Sequence, residues 1–233
     1  MPTGLRKLTE DDLWVLTGQV DVPAVLRSSL AALPCQEVER DEFDPDDGEA
    51  VLIVQDPGTG GRASLPAPAV RAIRAAGCAA VAALDRLGQG VVTAGVIGPV
   101  PEVWWHVRVL CQAIPGITDL AVTTLPGGAP PPFLADHLDL AGVELVFVRS
   151  ASAAAFGANL VVAAGDAPLD AEKIATGAVL VEAAVDAYPF TLQEEAASDT
   201  FCLVPHAPDH DARNLDTAVA TALLTAASHV AHT

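Results

Sequence analysis

The chain has 233 residues, of which 51% are hydrophobic and 18% are charged. This balance predicts a well-filled core and excludes bulk disorder. The sequence has 30 acidic and 12 basic residues, so its net charge is −18. Nucleic acids and anionic membranes are therefore poor partners, because proteins bind both of them through Lys and Arg.

Neither a secretion signal nor a membrane span is evident in the sequence. The first residues include no apolar stretch of the signal type, and no run of about 18 uncharged apolar residues occurs. The four cysteines are far apart and form no C-x-x-C motif: Cys35, Cys78, Cys111 and Cys202. Such cysteines are typical of the reducing cytoplasm. We therefore predict a cytoplasmic protein with buried thiols.

The first third of the chain carries the signals of a small α+β domain. The predicted elements, in chain order, are a helix through residue 16, a helix at 22–33, a strand at 50–55 and a helix at 64–87. Thr9 and Asp12 have the spacing of a capping box for the first helix, and Asp21 is placed to cap the second. We assign residues 1–86 to this shortened oligomerisation or binding domain.

From residue 91 onward, apolar runs and helical patterns alternate. The predicted strands are at 92–97, 119–124, 143–148, 159–163 and 179–185, and the predicted helices are at 101–114, 133–140 and 215–230. Continuous apolar strands are typical of a parallel sheet that is covered on both faces. The sequence thus predicts an α/β fold with a Rossmann-like domain at 87–212. The C-terminal helix within 213–233 is expected to complete the smaller domain.

The turn after the strand at 92–97 departs from a phosphate-binding turn. A dinucleotide-binding turn reads G-x-G-x-x-G, so that two bare backbones can approach the pyrophosphate at a helix N-terminus. Here Gly98 is followed by Pro99, and Val100 stands where the second glycine would be. Pro101 removes a further N–H donor, and Glu102 adds a negative charge. We therefore expect Gly98 to be a vestige and the protein to use no cofactor.

Four local strings resemble the ornithine cyclodeaminase/μ-crystallin family and together span most of the chain. They are LTEDDLWVL, VLIVQDPGTGGRASLPAPAVRAI, GVIGPVPEVWWHVRVLCQAIPGITDLAV and GANLVVAAGDAPLDAEKIATGAVLVEAAVDAYPF. The resemblance implies that Arg74 holds a substrate carboxylate, that Asp186 is the catalytic aspartate and that His106 is the family's histidine. The departures are Val100, a shortened first domain and the uncharged run at 123–126, where the family usually has a residue that contacts the cofactor ribose.

The candidate catalytic residues each have a structural alternative. Asp186 is either a general base for an α-amino acid or a cap for the turn after its strand. Arg74 and Arg71 lie one turn apart, and they either grip a carboxylate or form a solvated basic face. The histidines and aspartates at 206–211 lie in a proline-containing stretch without further ligands at conventional spacing, which predicts a polar loop and no metal site.

The apolar strand at 50–55 is the second candidate site. In a shortened domain it has fewer neighbours, and an uncovered strand must be paired or protected. It is either an internal strand of a homodimer or the edge to which an extended peptide adds itself. The acidic residues that precede it favour a basic peptide. The predicted peptide-binding residues are Val51, Leu52, Ile53, Val54 and Gln55.

The leading hypothesis from the sequence is a non-catalytic, homodimeric protein that binds a precursor or leader peptide for other biosynthetic enzymes. Truncated relatives of this family serve as peptide-binding accessory proteins in ribosomal-peptide pathways of the crocagin type, and this chain resembles them. The alternative is an NAD- or NADP-dependent cyclodeaminase or imine reductase that uses Asp186 and Arg74. A third possibility is a cofactor-free lyase or cyclase that acts on a peptide.

Overall fold

The computed structural model describes residues 5–31, 42–43, 50–125, 131, 134, 138, 142–164, 169, 173–183, 190–194, 201–205 and 209–230. The elements in chain order are β1 (Arg6–Lys7), α1 (Glu10–Thr17), α2 (Val22–Ala31), β2 (Glu42–Phe43), β3 (Ala50–Gln55), β4 (Arg62–Pro66), α3 (Ala67–Leu84), β5 (Val92–Pro99), α4 (Glu102–Ala113), β6 (Ile117–Leu125), β7 (Glu144–Phe147), α5 (Ala151–Ala155), β8 (Leu160–Ala164), β9 (Val179–Ala183), β10 (Phe190–Glu194), β11 (Phe201–Pro205) and α6 (Asp209–Val230).

The first two helices begin where their capping residues predict. Thr9 and Asp12 form the reciprocal bonds of a capping box: the Asp12 amide donates to Thr9 Oγ1 at 3.2 Å, and the Thr9 amide donates to Asp12 Oδ2 at 2.8 Å. The Ala24 amide donates to Asp21 Oδ1 at 3.0 Å. Because each cap satisfies N–H groups that have no acceptor within the helix, both helix starts are fixed locally.

The smaller sheet has four strands in the order β1-β4-β3-β2. The predicted strand at 50–55 is confirmed as β3, which pairs antiparallel with β4. The prediction of a helix from residue 64 is wrong, since Arg62–Pro66 is a strand and the helix begins at Ala67. Pairing with β3 buries Leu65 opposite Leu52, and this tertiary contact outweighs the local helical pattern.

The turn between β3 and β4 is joined to the C-terminal helix by Asp56. The Thr59 hydroxyl, the Gly58 amide and the Ser228 hydroxyl donate to its carboxylate at 2.7, 2.9 and 3.1 Å. These bonds, that of Thr59 first, hold the pKa of Asp56 below its ordinary value. The Asx-type turn thereby fixes both the hairpin and one end of α6.

The larger sheet has seven strands in the order β10-β11-β9-β8-β5-β6-β7. All neighbours pair in parallel except β10, which is antiparallel to β11. Starting from β5, the chain adds β6 and β7 on one side and then β8, β9 and β11 on the other. This is the 3-2-1-4-5-6 order of a doubly wound Rossmann domain. The predicted fold class is therefore confirmed, although β10 and β11 were not predicted.

The helices enclose one main core. Helix α3 packs on α2, α4, α6 and β9, and α4 packs on β5. The short helix α5 covers the opposite face of β5 and β6 with a smaller apolar cluster. Helix α6 packs on α2, α3 and β3, as expected of an element that completes the first domain. The proposed boundary between residues 86 and 87 remains a prediction.

Two further features of the helices bear on the sequence predictions. Among the described residues, α3 is the one helix that is long and apolar enough to cross a membrane, and 72% of it is buried inside the fold, as is typical of a core helix. Helix α6 begins at Asp209, so His210 and Asp211 are helical rather than part of the predicted loop. The cytoplasmic location remains a prediction.

Candidate functional site

The strand order places a crevice where β5 and β8 end. These neighbouring strands belong to opposite halves of the winding, so the connections that follow them leave the sheet in opposite directions. Ligands of doubly wound sheets bind in such a crevice, outside the carboxyl ends of the strands. The residues that line it from β5 are those of the sequence 98–102, which lead directly into α4.

Gly98 is required by the packing of the two strands. Its φ is +157°, and a Cβ atom at this position would lie 2.4 Å from the carbonyl oxygen of Ala164. Any side chain would therefore force β5 and β8 apart at the crevice. This packing accounts for the glycine without reference to a ligand, and its role as a vestigial cofactor glycine stays a prediction.

The N-terminus of α4 is open towards the crevice. Pro101 stands at its N-cap and makes no capping hydrogen bond with its side chain. Val100 and Pro101 are exposed, so neither is used to fill the core. The Trp104 amide donates to the Pro101 carbonyl at 3.0 Å, and the positive end of the helix dipole favours anions such as a pyrophosphate at this position.

Two side chains oppose such a ligand. Glu102 lies in the first turn of α4 and is half-buried, and its carboxylate competes with a phosphate for the positive end of the helix. Val100 places a branched side chain where a glycine would let the pyrophosphate approach. At the end of β6, Thr123 is buried and donates its hydroxyl to the Val148 carbonyl at 2.9 Å. That position offers no acidic group for a ribose.

The two tryptophans at the start of α4 are both buried, with exposed fractions of 2% for Trp104 and 3% for Trp105. Adjacent helical side chains point about 100° apart, and both can be buried because α4 has neighbours on two sides. Trp105 contacts Trp14 of α1 at 5.2 Å between ring centroids, and Trp104 meets Phe147 of β7 edge-on at 5.9 Å. Both contacts contribute to packing beyond the buried area itself.

His106 is fully buried on α4. Its Nδ1 lies 2.9 Å from the Glu102 carbonyl oxygen and must donate to it, since a carbonyl only accepts. Nε2 then bears a lone pair, and it has no hydrogen-bond partner among the described residues. Burial lowers the pKa of His106 to about 4, against a smaller opposing effect of the bond to Glu102. The imidazole is thus neutral at physiological pH.

Arg74 lies in the protein interior and is paired within the chain. Its Nε is 2.7 Å from Asp216 Oδ1, and its side chain is 1% exposed. Arg71 Nε lies 3.9 Å from the other carboxylate oxygen of Asp216. The two arginines therefore share a face and converge on a carboxylate, as their spacing predicts, and that carboxylate belongs to α6. Whether Arg74 also holds a substrate carboxylate stays a prediction.

Sequence reasoning missed Asp216. It lies 142 residues after Arg74, so no spacing rule connects them. The one available signal is an acidic residue near the start of an Ala-rich C-terminal helix, which any exposed helix face would also show. Asp186 lies outside the described residues, so its role stays a prediction.

The remaining predicted site residues lie in β3. Val51, Leu52, Ile53 and Val54 are all buried, and Gln55 is exposed. β4 pairs with residues 51–55 of the strand, whereas β2 pairs only with its first two residues, Ala50 and Val51. At its start, β3 therefore has a paired strand on each edge. Along 52–55, no described strand pairs with its second edge.

Neither the cysteines nor a metal cluster adds chemistry to the described part of the chain. Burial raises the pKa of both Cys78 and Cys111 to about 12, so both thiols stay protonated and inert. The prediction of buried thiols is confirmed for these two. No group of three or more metal-ligating side chains occurs among the described residues. A cavity of about 210 Å³ lies between α2 and the far ends of α3 and α4, well away from the crevice.

Comparison with solved structures identifies the class of fold. No protein-family model and no curated protein matches the chain. The NAD⁺ complex of iminosuccinate reductase from Paracoccus denitrificans is similar, with 13% identity, a TM-score of 0.59 and 97% of both chains covered. The Δ1-pyrroline-2-carboxylate reductase of Thermococcus litoralis, in complex with NADH and L-proline, is 16% identical with a TM-score of 0.51, covering 77% of this chain and 69% of that one.

A lysine cyclodeaminase structure is 15% identical with a TM-score of 0.52, over 76% of this chain and 67% of that one. The protein therefore has the fold of the ornithine cyclodeaminase-like proteins, as the resemblance implies. At these identities the comparison establishes the fold alone. A truncated accessory role in a ribosomal-peptide pathway remains a prediction.

The expectation of a protein without cofactor is corrected by these structures. Two of them, the iminosuccinate and pyrroline-carboxylate reductases, were solved with NAD⁺ or NADH bound. The reason for the error is physical. The expectation rested on the side chains of Val100 and Glu102 and on the N–H donors removed by Pro99 and Pro101, whereas the strand order and the helix N-terminus, which favour a dinucleotide at this turn, are both present here.

The buried pair of Arg74 and Asp216 is expected to contribute to the free energy of unfolding. We expect Asp216→Ala to lower the free energy of unfolding by about 3–5 kcal/mol, because it removes the carboxylate that pairs with a buried guanidinium. The double variant Arg74→Met/Asp216→Leu should lose far less, since no charge is then stranded. Urea denaturation of each variant measures these differences.

The control is Asp85→Ala, which removes an exposed ion pair with Arg27. The side chain of Arg27 is 46% exposed and that of Asp85 is 63% exposed. It should change stability by less than about 1 kcal/mol. Equal losses for Asp85→Ala and Asp216→Ala would contradict the importance of burial.

The buried His106 is expected to make the stability of the protein depend on pH. In the unfolded chain it binds a proton near its ordinary pKa of 6.5, whereas in the folded protein it does so only near 4. The unfolded state therefore gains protons first, and stability falls as the pH drops from about 6.5 to 4, by roughly 3 kcal/mol. His106→Leu should remove this slope from the pH dependence of unfolding, and the exposed control His229→Gln should keep it. An unchanged slope in His106→Leu would refute the assignment.

Proposed function

We propose that the protein binds an NAD-type dinucleotide where β5 and β8 end and uses it to reduce a small imine or to cyclise an amino acid. The observation that carries this proposal is the doubly wound strand order with the uncapped N-terminus of α4 at its switch point. The bound nicotinamide would supply hydride transfer. The resemblance of the fold to NAD-linked imine reductases and a cyclodeaminase supports the same class.

The chain's own residues set the strength of this binding. The amides at the start of α4 would hold the pyrophosphate, while Glu102 repels it and Val100 limits its approach. Uncharged Thr123 and Thr124 at the end of β6 give no charge preference between NAD and NADP. We therefore propose a weak site that does not distinguish strongly between the two cofactors.

The substrate side of the proposal involves Arg74 and Asp186. In the resembling family these positions hold a carboxylate and transfer a proton, and we propose the same roles here. Asp216 already pairs with Arg74, so a substrate carboxylate would have to compete with an internal one. We therefore propose that a substrate carboxylate reaches Arg74 when α6 shifts and moves Asp216 away from it.

Titration with NADH, followed by its fluorescence, tests the cofactor site. We expect Glu102→Gln to tighten binding about three- to tenfold, because removing one charge beside a pyrophosphate relieves roughly 1 kcal/mol of repulsion. Val100→Gly should tighten it further by letting the backbone approach. The control Glu144→Gln removes an exposed carboxylate at the start of β7 and should leave binding unchanged.

Failure of NADH to bind the parent protein and both Glu102→Gln and Val100→Gly at millimolar concentration would refute the proposal. Tightening by Glu144→Gln as large as that by Glu102→Gln would attribute the effect to net charge alone and would also count against the site.

Peptide binding is a second candidate function, and the incomplete second edge of β3 supports it. We propose that a basic, extended peptide adds to this edge beside residues 52–55, either in a homodimer or together with partner enzymes. The acidic net charge favours such a ligand.

A synthetic decapeptide of alternating Lys and Val is a suitable probe for this edge. It should slow amide hydrogen exchange within 52–55 and leave β8 unchanged. Equal protection of β8, or none in β3, would contradict the proposal.

A further inference from the structure

The outer edge of β7 carries exposed apolar side chains. β7 is the last strand of the larger sheet, and no described strand pairs with its second edge. Val146 is 47% exposed and Phe147 is 54% exposed, which are unusual values for large apolar residues in a sheet. The strand contains no Lys, Pro or bulge of the kind that protects sheet edges from pairing.

The direction of the main-chain groups on this edge follows from one hydrogen bond. The Val148 amide donates to the Val122 carbonyl of β6 at 2.9 Å. Main-chain groups alternate along a strand, so those of Val148 and Val146 point towards β6. Those of Leu145 and Phe147 therefore point outward, away from the sheet.

These directions allow a second copy of the chain to pair with the edge about a two-fold axis. In an antiparallel pair centred on Val146, Leu145 lies opposite Phe147 of the second copy, and each such pair exchanges both main-chain hydrogen bonds. Val146 then meets its own symmetry mate in the close, non-hydrogen-bonded position. Both exposed apolar side chains are covered in one register.

The same register separates the charges on the edge. Glu144 lies opposite Val148 of the second copy, and the two Glu144 side chains are about 13 Å apart, four residues along the strands. No like charges stand directly opposite each other in this register. Like charges in that position would disfavour pairing. The edge can thus pair with itself through main-chain hydrogen bonds, with no like charges directly opposite each other.

We propose that β7 is a homodimerisation edge, through which two copies join their sheets into one continuous sheet. This surface is distinct from β3 and from the crevice at the ends of β5 and β8. Four residues of edge bury much less than the roughly 800 Å² per partner of a standard interface, so the dimer is weak. Each copy carries a charge of −18, so salt strengthens the dimer by screening the repulsion.

Sedimentation equilibrium of the full chain over the micromolar range, in low and high salt, tests the proposal. We expect a monomer–dimer equilibrium whose dissociation constant falls as salt is added. Val146→Lys places two ammonium groups directly across the axis and should weaken the dimer at least tenfold. Val15→Lys is the matched control, because Val15 is 55% exposed on α1, away from β7, and it should dimerise like the parent.

Thermal unfolding of both variants establishes that they are folded. A parent protein that stays monomeric in high salt, or equal weakening by Val15→Lys and Val146→Lys, would overturn the proposal. Amide exchange at Leu145 and Phe147 that slows on addition of the Lys–Val decapeptide, but not with rising protein concentration, would assign the edge to a peptide and would also overturn it.

Discussion

The buried ion pair between Arg74 and Asp216 is the constraint on which the arrangement of the helices depends. Arg74 lies in the middle of α3, the helix that contacts α2, α4, α6 and β9. A guanidinium at that depth is tolerated only with a partner, and the partner comes from α6 near the other end of the chain. The ion pair therefore fixes which face of α6 meets α3. The hydrogen bond between Ser228 and Asp56 fixes the other end of the same helix.

At the candidate cofactor site, the fold favours a dinucleotide whereas two side chains act against it. The strand order and the start of α4 at the switch point are the features at which doubly wound folds bind a dinucleotide. Glu102 and Val100 act against it without altering these features. A site of this kind changes affinity through single side chains, since the backbone that supplies the hydrogen bonds is held by the sheet.

Strand edges offer the protein two distinct surfaces for other chains. The edge of β3 is partly covered by β2, and both faces of β3 are buried. The outer edge of β7 pairs with no described strand and carries two exposed apolar side chains. The sequence predicted β3 as the binding edge because β3 is the more apolar of the two strands. Apolar residues indicate that the faces of a strand are buried, but they say little about which edge is left unpaired.

The sequence by itself determined the elements whose signals are local. The capping residues Thr9 and Asp21 define two helix starts, and continuous apolar runs define a parallel sheet, because these signals act between neighbouring residues. Only the tertiary structure decided that residues 62–66 form a strand, that both Trp104 and Trp105 are buried, and that Arg74 is paired with Asp216. Each of these depends on a contact between segments far apart in the chain, and local propensity is too weak to oppose such contacts or to reveal them.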